Sequence, residues 1–214
     1  MTVSIDPVTR HRIDARLDEL CDEFGGDFER SQIAALMDDS VERLAGAATL
    51  LEFVPIMAFR LTRERLAALL RAGAERDAGT WDVVYVSLSG GGRGQIASAL
   101  TTLLSDHRVT VHAAGTAVSA GIDPGVREVI AELGLDPEEA FARPVTDEVL
   151  AAADVVVTMG HSVGPLELPG PVRREDWRVG DPIGAPLEEI RRVRGDIESR
   201  VRTLLSELGV PAAR

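Results

Sequence analysis

The sequence predicts an α/β fold, a three-layer sandwich with helices on both faces of a central parallel sheet, preceded by a small helical bundle. Two observations predict it. Apolar residues recur at helical spacing up to about Gly73, and from Asp82 onward short apolar runs alternate with helical segments. Strands that alternate with helices usually pair in parallel through right-handed crossovers, so the second part of the chain should form one parallel sheet.

Three helices are predicted in the first part of the chain. Gly25 and Gly26 interrupt the periodicity between the first two, and the third is predicted over residues 53–73, with Pro55 tolerated in its first turn. We predict that residues 1–75 form a bundle domain. The apolar positions that define its first two helices are Ile13, Leu17, Leu20, Cys21, Phe24, Ile33, Leu36, Met37, Val41 and Leu44.

A short, polar, glycine-containing stretch at residues 72–80 separates the two patterns, and residues 80–214 are predicted to form the α/β domain. Its predicted strands cover residues 82–88, 109–113 and 154–159, and its predicted helices cover residues 95–104, 124–133, 146–152 and 186–208.

Composition limits the partners of the chain. With 35 acidic residues against 23 Lys and Arg, the formal charge is −12, whereas sequence-independent nucleic-acid binding needs a basic face. There is no apolar run of about 18 residues and no apolar signal core in residues 1–10, so we predict a cytoplasmic protein without membrane contact. Cys21 is the only cysteine, which excludes a disulfide within the chain. No metal or cofactor is predicted.

An anion-binding loop is predicted where the first strand of the sheet ends and the next helix begins. Free amides and the helix dipole favour an anion at such a position. Consecutive glycines let the backbone fold closely around a phosphate-sized ligand, and the guanidinium of Arg93 can hold two oxygens. The predicted anion-binding residues are Ser87, Leu88, Ser89, Gly90, Gly91, Gly92, Arg93 and Gly94.

Two nucleotide-binding patterns do not fit this loop. The dinucleotide pattern GxGxxG would begin at Gly90 and Gly92 but meets Gln95 where its last glycine is needed. The Walker pattern also meets Gln95 and lacks its lysine. The remaining structural alternative is a glycine-rich turn that only connects a strand to a helix.

Ser87, five residues and Arg93 resemble the C-x5-R loop of the low-molecular-weight protein tyrosine phosphatases and of the arsenate reductases that share their fold. The resemblance covers about residues 80–210, and the bundle resembles the three-helix extension of some actinobacterial arsenate reductases. Further segments follow in family order: AAGT at 113–116, VREVIAELGL at 126–135, ADVVVTMG at 153–160, EDW at 175–177, Asp181-Pro182 and the helix at 190–208.

In that family a cysteine thiolate attacks the oxyanion, loop amides and an arginine stabilise the charge, and an aspartate before proline protonates the leaving group. The resemblance assigns these three catalytic positions to Ser87, Arg93 and Asp181. The nucleophile position therefore carries a hydroxyl in place of a thiol. Asp-Pro also starts turns, so a purely structural role for Asp181 stays open.

A serine hydroxyl needs a neighbouring base to attack, and His112 and His161 are the candidates near strand ends. The alternative for each, which we favour, is a half-buried or solvent-facing histidine without a catalytic role. Arsenate reduction needs electrons from a thiol, which serine cannot supply. The resemblance also implies a cysteine where His161 stands and a serine where Gly94 stands. These linked departures favour natural divergence over one engineered substitution. The segment after Pro182 lacks the aromatic pair that holds a phosphotyrosine ring.

Three functions remain open. The first is a protein that binds phosphate, arsenate or a phosphorylated metabolite at residues 87–94 without thiol chemistry. The second is an active phosphatase with Ser87 or water as nucleophile and Asp181 as acid. The third is a regulatory or scaffold protein that forms a homodimer through its amino-terminal helices.

Overall fold

The computed structural model describes residues 6–45, 51–74, 79–118, 121–138, 140–160, 163–168 and 170–212. The chain divides into two compact units, residues 1–73 and residues 74–214, each with a hydrophobic core. That the bundle and the α/β region fold as independent domains, with limits at residues 75 and 80, stays a prediction.

The first unit contains the three predicted helices, α1 (Pro7–Phe24), α2 (Arg30–Ala45) and α3 (Val54–Gly73), with a 3-10 turn at Leu51–Phe53. Helix α1 begins where the Asp6 carboxylate accepts the amides of Val8 and Thr9 at 2.9 and 3.1 Å, which satisfies two amides of its first turn. The bundle core consists of Ile13, Leu20, Phe24, Ile33, Met37, Val41, Leu44, Val54, Ala58, Leu61 and Leu66. The half-buried Cys21 packs against this core, as its helical spacing predicts.

The second unit is built on a four-stranded parallel sheet, which confirms the predicted fold class. Its strand order is β2-β1-β3-β4, and residues Asp82 to Ser87 of the central β1 are all buried. The strands are β1 (Trp81–Ser87), β2 (Val109–Gly115), β3 (Val155–Met159) and β4 (Arg173–Trp177), and the helices are α4 (Arg93–Leu104), α5 (Pro124–Ala131), α6 (Asp147–Ala152) and α7 (Leu187–Glu207).

The core of this unit lies between the sheet and helices α4, α5 and α7. The sheet contributes buried side chains to this core, among them those of Val83, Tyr85 and Val157. The helices contribute Ile96, Val126 and Ile197, among others, to the same cluster. The Tyr85 hydroxyl shares a 2.7 Å hydrogen bond with the Thr101 hydroxyl, and burial raises the pKa of this phenol.

Strand β4 is the element that periodicity did not predict. Its sequence RREDW carries four charged residues, and only Trp177 is buried, which suits an edge strand whose charges oppose pairing with another chain. Helix α4 begins at Arg93, two residues before the predicted start, and β2 continues to Gly115. No helix in the described part of the chain is long and apolar enough to cross a membrane.

Candidate anion-binding site

The predicted loop connects the carboxyl end of β1 to the amino end of α4, with Gly92 at the helix cap position. Its base is fixed to the chain that follows β2, because the Ser87 carbonyl accepts the Thr116 amide at 3.1 Å and the Leu88 carbonyl accepts the Ala117 amide at 2.7 Å. The Ser87 side chain lies at this base and is only 2% exposed.

Two loop amides are taken by side-chain oxygens of the loop itself. Gly90 donates to Ser87 Oγ at 3.2 Å, and Gly91 donates to Ser89 Oγ at 3.3 Å. The amides of residues 92–94 open α4 and therefore lack a carbonyl one turn earlier. Within the described ranges, no protein acceptor takes these three amides. These three N–H groups are therefore donors that a ligand could take.

Two glycines allow the loop to approach β2. Gly90 has a φ of +69°, which favours glycine, and a Cβ there would lie 2.9 Å from the Gly115 nitrogen. A Cβ on Gly115 would lie 2.7 Å from the Gly90 nitrogen. A side chain at either position would therefore displace the loop backbone.

Gln95, the residue that breaks both nucleotide-binding patterns, braces the loop. It is 3% exposed, and its Nε2 donates to the Gly90 carbonyl at 2.8 Å and to the Phe141 carbonyl at 3.1 Å. These bonds hold the Gly90 carbonyl on the buried side of the loop. Sequence reasoning missed this role, because the Phe141 partner lies 46 residues away along the chain.

Arg93 lies beside Asp181, as the resemblance implies. Its Nη2 is 2.9 Å from Asp181 Oδ2, and its Nε donates to the Gly180 carbonyl at 2.9 Å. The guanidinium also lies against Gly160, where a Cβ would come within 2.7 Å of Nη1 and φ is +91°. Gly160 is thus a second residue of the site that local patterns did not identify.

Asp181 also starts a turn, which was its structural alternative. Its Oδ1 accepts the Ile183 amide at 3.3 Å while Oδ2 faces Arg93. The turn lies close to the loop, since a Cβ on Gly92 would be 3.1 Å from side-chain atoms of Pro182 and Ile183. Both roles proposed for Asp181 are therefore compatible.

His112 does not lie near Ser87. It pairs with Val84, three residues before the Ser87–Gly115 pair, so its side chain is on the opposite face of the sheet and about 10 Å along the strand. Its Nε2 is 3.8 Å from Asp82 Oδ1. The hypothesis that His112 activates Ser87 is therefore wrong, and His161 lies outside the described residues.

Gly94 is not required by packing. The nearest atoms to a Cβ at this position are the Tyr85 carbonyl oxygen at 3.5 Å and the Ala113 Cβ at 3.6 Å, which are ordinary contacts. A Cβ would fit here. In the described ranges, no group of three or more His, Cys, Asp and Glu side chains could hold a metal ion.

Comparison with known proteins identifies relatives among the low-molecular-weight phosphatases and the arsenate reductases. The family model of low molecular weight phosphotyrosine protein phosphatases matches residues 82–164. A putative arsenate reductase of Halobacterium salinarum is 34% identical over 128 residues, which cover 58% of this chain and 89% of the relative. Arsenate reductase 1 of Staphylococcus epidermidis is 27% identical over 124 residues, covering 56% of this chain and 92% of the relative.

Solved structures of arsenate reductases also match this chain, and one of these matches includes the bundle. A thioredoxin-dependent arsenate reductase of Corynebacterium glutamicum superposes with a TM-score of 0.78 at 30% identity, covering 92% of this chain and 96% of that one. An arsenate reductase in its phosphate-binding state superposes with a TM-score of 0.53 at 27% identity, covering 60% of this chain and 98% of that one.

Proposed function

The chain belongs to the arsenate reductase and low-molecular-weight phosphatase family, and from this premise we propose that it binds a tetrahedral oxyanion at residues 87–94 without thiol chemistry. The ligand is phosphate, arsenate or the phosphate group of a small metabolite. A solved relative in its phosphate-binding state supports this ligand class.

The observation that carries the proposal is the position of the Ser87 hydroxyl. It lies buried at the base of the loop and accepts the Gly90 amide. The amides of residues 92–94 have no protein acceptor in the described ranges, and Arg93 begins the helix that follows the loop. Backbone N–H groups and a guanidinium are the kinds of donor that hold an oxyanion. A hydroxyl in this setting stays protonated, because a serine hydroxyl is a far weaker acid than a thiol and needs a neighbouring base that the loop amides and one arginine do not replace.

Arsenate reduction does not fit these residues. The reaction needs a thiol at the reacting atom, and position 87 offers an oxygen that cannot be oxidised in its place. The single cysteine, Cys21, belongs to the bundle and packs against its apolar core. Binding without electron transfer is therefore the function that the residues support best.

Isothermal titration calorimetry with phosphate, arsenate and sulfate tests the proposal. Wild type should bind at least one of them, and Arg93→Ala should weaken that binding at least about tenfold, because hydrogen bonds to charged groups contribute about 1.5–3 kcal/mol each. Arg192→Ala is the matched control, since this arginine of α7 is 74% exposed and pairs with Glu189 away from the loop. Absence of binding to all three anions would defeat the proposal.

A second candidate is a slow phosphatase. The position of Asp181 beside Arg93 favours it, because a carboxyl group there, once protonated, could donate its proton to a leaving group. Ser87 or water would then be the nucleophile. Turnover of an aryl phosphate should fall at least about tenfold in Asp181→Asn, the lower range for acid catalysis. Equal residual rates in wild type and variant would reject catalysis by Asp181.

Homodimerisation through the helices of residues 1–73 stays a third proposal, as does a cytoplasmic location. Val8 is 63% exposed and Phe53 is 52% exposed, so the bundle presents apolar side chains that a second copy could cover. Light scattering should then give a dimer for the full chain and a weaker one for Phe53→Asp. A monomer at every concentration would reject the dimer.

A further inference from the structure

Asp123 connects three segments around the loop. Its amide donates to the Gly91 carbonyl at 3.2 Å, which fixes it to the loop itself. Its Oδ1 accepts the amides of Gly125 and Val126 at 2.9 and 3.3 Å, capping α5. Its Oδ2 accepts the Gly184 amide at 2.9 Å. One carboxylate therefore uses its two oxygens on two different segments.

The Gly184 contact reaches the turn that begins at Asp181. Residues 181–184 follow β4 and precede α7, and within them Asp181 Oδ1 already accepts the Ile183 amide. The Asp123 carboxylate holds the other end of this turn from a segment 61 residues earlier in the chain. The turn is thus tied at one end to Arg93 and at the other to Asp123.

A helix cap alone does not need this arrangement. Capping requires one side-chain oxygen at the first free amides, and serine supplies it about as well as aspartate. The second oxygen of Asp123, directed to Gly184, is an additional feature. Because the backbone amide of the same residue donates to the Gly91 carbonyl, Asp123 contacts both the turn and the loop.

We propose that Asp123 is a positioning residue of the anion site, which anchors the Asp181 turn so that Asp181 stays paired with Arg93. The inference rests on the proposed oxyanion binding and deepens it. An incoming anion competes with Asp181 for the guanidinium and is repelled by its carboxylate. Asp123 therefore determines how far this competition lowers the affinity of the site for the anion.

Asp123→Ser separates the two roles of the carboxylate. Its hydroxyl can cap α5 but leaves Gly184 without an acceptor, whereas Asp123→Ala removes both. Amide hydrogen exchange of the full chain without anion should show Gly184 exchanging at least about tenfold faster in Asp123→Ser, the loss expected for a bond to a charged acceptor. Gly125 and Val126 should keep their protection in Asp123→Ser and lose it in Asp123→Ala.

Calorimetry with inorganic phosphate then tests the link to Arg93. Asp181→Asn should raise the affinity about two- to fivefold, as expected for release from a partly exposed ion pair. Asp123→Ser should raise it by a smaller factor, and adding it to Asp181→Asn should change nothing further.

Two results would overturn the proposal. One is unchanged exchange at Gly184 in Asp123→Ser, and the other is an effect of Asp123→Ser on phosphate affinity that persists in full beside Asp181→Asn. If wild type binds none of phosphate, arsenate and sulfate, the proposed function fails, and the exchange measurement still decides whether Asp123 anchors the turn.

Discussion

The guanidinium Nη2 of Arg93 lies 2.9 Å from Oδ2 of Asp181, so the residue that would hold an anion is paired with a carboxylate. The Arg93 side chain is 15% exposed and that of Asp181 is 56% exposed. Water therefore screens the pair from the Asp181 side, and the pair is of the partly exposed kind that contributes about 0.2–1 kcal/mol. An anion can displace it at moderate cost.

The first prediction concerns this pair. Asp181→Asn should raise the affinity for phosphate about two- to fivefold, because the amide neither competes for Arg93 as a charge nor repels the anion. Calorimetry at two salt concentrations measures it, and the gain should shrink as salt rises. Asp176→Asn is the matched control, since its side chain is also 56% exposed and pairs with Arg178 instead. Weaker binding by Asp181→Asn would contradict the prediction.

The second prediction concerns the environment of position 87. Ser87→Cys, made together with Cys21→Ala so that one thiol remains, should be alkylated by iodoacetamide with an apparent pKa below about 7.5, because loop amides and Arg93 stabilise a thiolate. Phosphate should slow the alkylation. Adding Arg93→Ala should raise the pKa obtained from the pH dependence of alkylation toward the ordinary thiol value of about 8.5. If the variant with Ser87→Cys and Cys21→Ala, in which Arg93 is retained, already has a thiol pKa of about 8.5, the loop does not stabilise a negative charge.

The third prediction compares two glycines of the loop region. Gly115→Ala should lower the free energy of unfolding by about 1–3 kcal/mol, the usual cost of overpacking, because its Cβ would lie 2.7 Å from the Gly90 nitrogen. Gly94→Ala should leave stability unchanged or raise it by up to about 1 kcal/mol, since its Cβ meets only ordinary contacts and alanine favours a helix.

Urea unfolding followed by tryptophan fluorescence measures both variants, because Trp81 and Trp177 lie in the second unit. Phosphate binding should weaken in Gly115→Ala and persist in Gly94→Ala. Equal stabilities would mean that the loop adapts to a side chain on β2.

Sequence reasoning predicted the parts of the site that lie together in the chain. Ser87 and Arg93 are six residues apart and share one strand-to-helix junction, so local chemistry identified them. Asp181 came only from the family resemblance. Gln95, Gly160 and Asp123 were missed, because their roles depend on partners that are distant along the chain.

The fold shows the same limit. Apolar runs predicted three of the four strands, but β4 is a charged edge strand whose position depends on pairing with β3. Strand pairing also decides between the two interpretations of His112, as a base beside the loop or as a histidine without a catalytic role. The place of His112 near the end of β2 was known, yet only the register with Val84 shows that it faces away from Ser87.

The last prediction concerns the bundle, where Arg65 is only 3% exposed. Its Nη1 lies 2.7 Å from Asp39 Oδ2 and 3.0 Å from Ser40 Oγ. Burial alone would raise the pKa of Asp39, but hydrogen bonds and charges from Arg43 and Arg65 outweigh it and hold that pKa below its ordinary value. Because the folded pKa is the lower one, Asp39 stabilises the bundle above the unfolded pKa of about 3.9 and loses this effect as the pH falls through the folded value.

Asp39→Ala should therefore lower the free energy of unfolding of the bundle by about 1–2 kcal/mol at neutral pH, a range reduced for the 40% exposure of the carboxylate. Far-ultraviolet circular dichroism reports this transition, and because the bundle contains no tryptophan, fluorescence separates it from unfolding of the second unit. Asp38→Ala, whose carboxylate is 64% exposed and pairs with Arg10, is the control and should have little effect. The difference between Asp39→Ala and wild type should shrink below about pH 4, where the unfolded carboxyl is protonated. A difference that stays constant with pH would assign the loss to packing, not to the ion pair with Arg65.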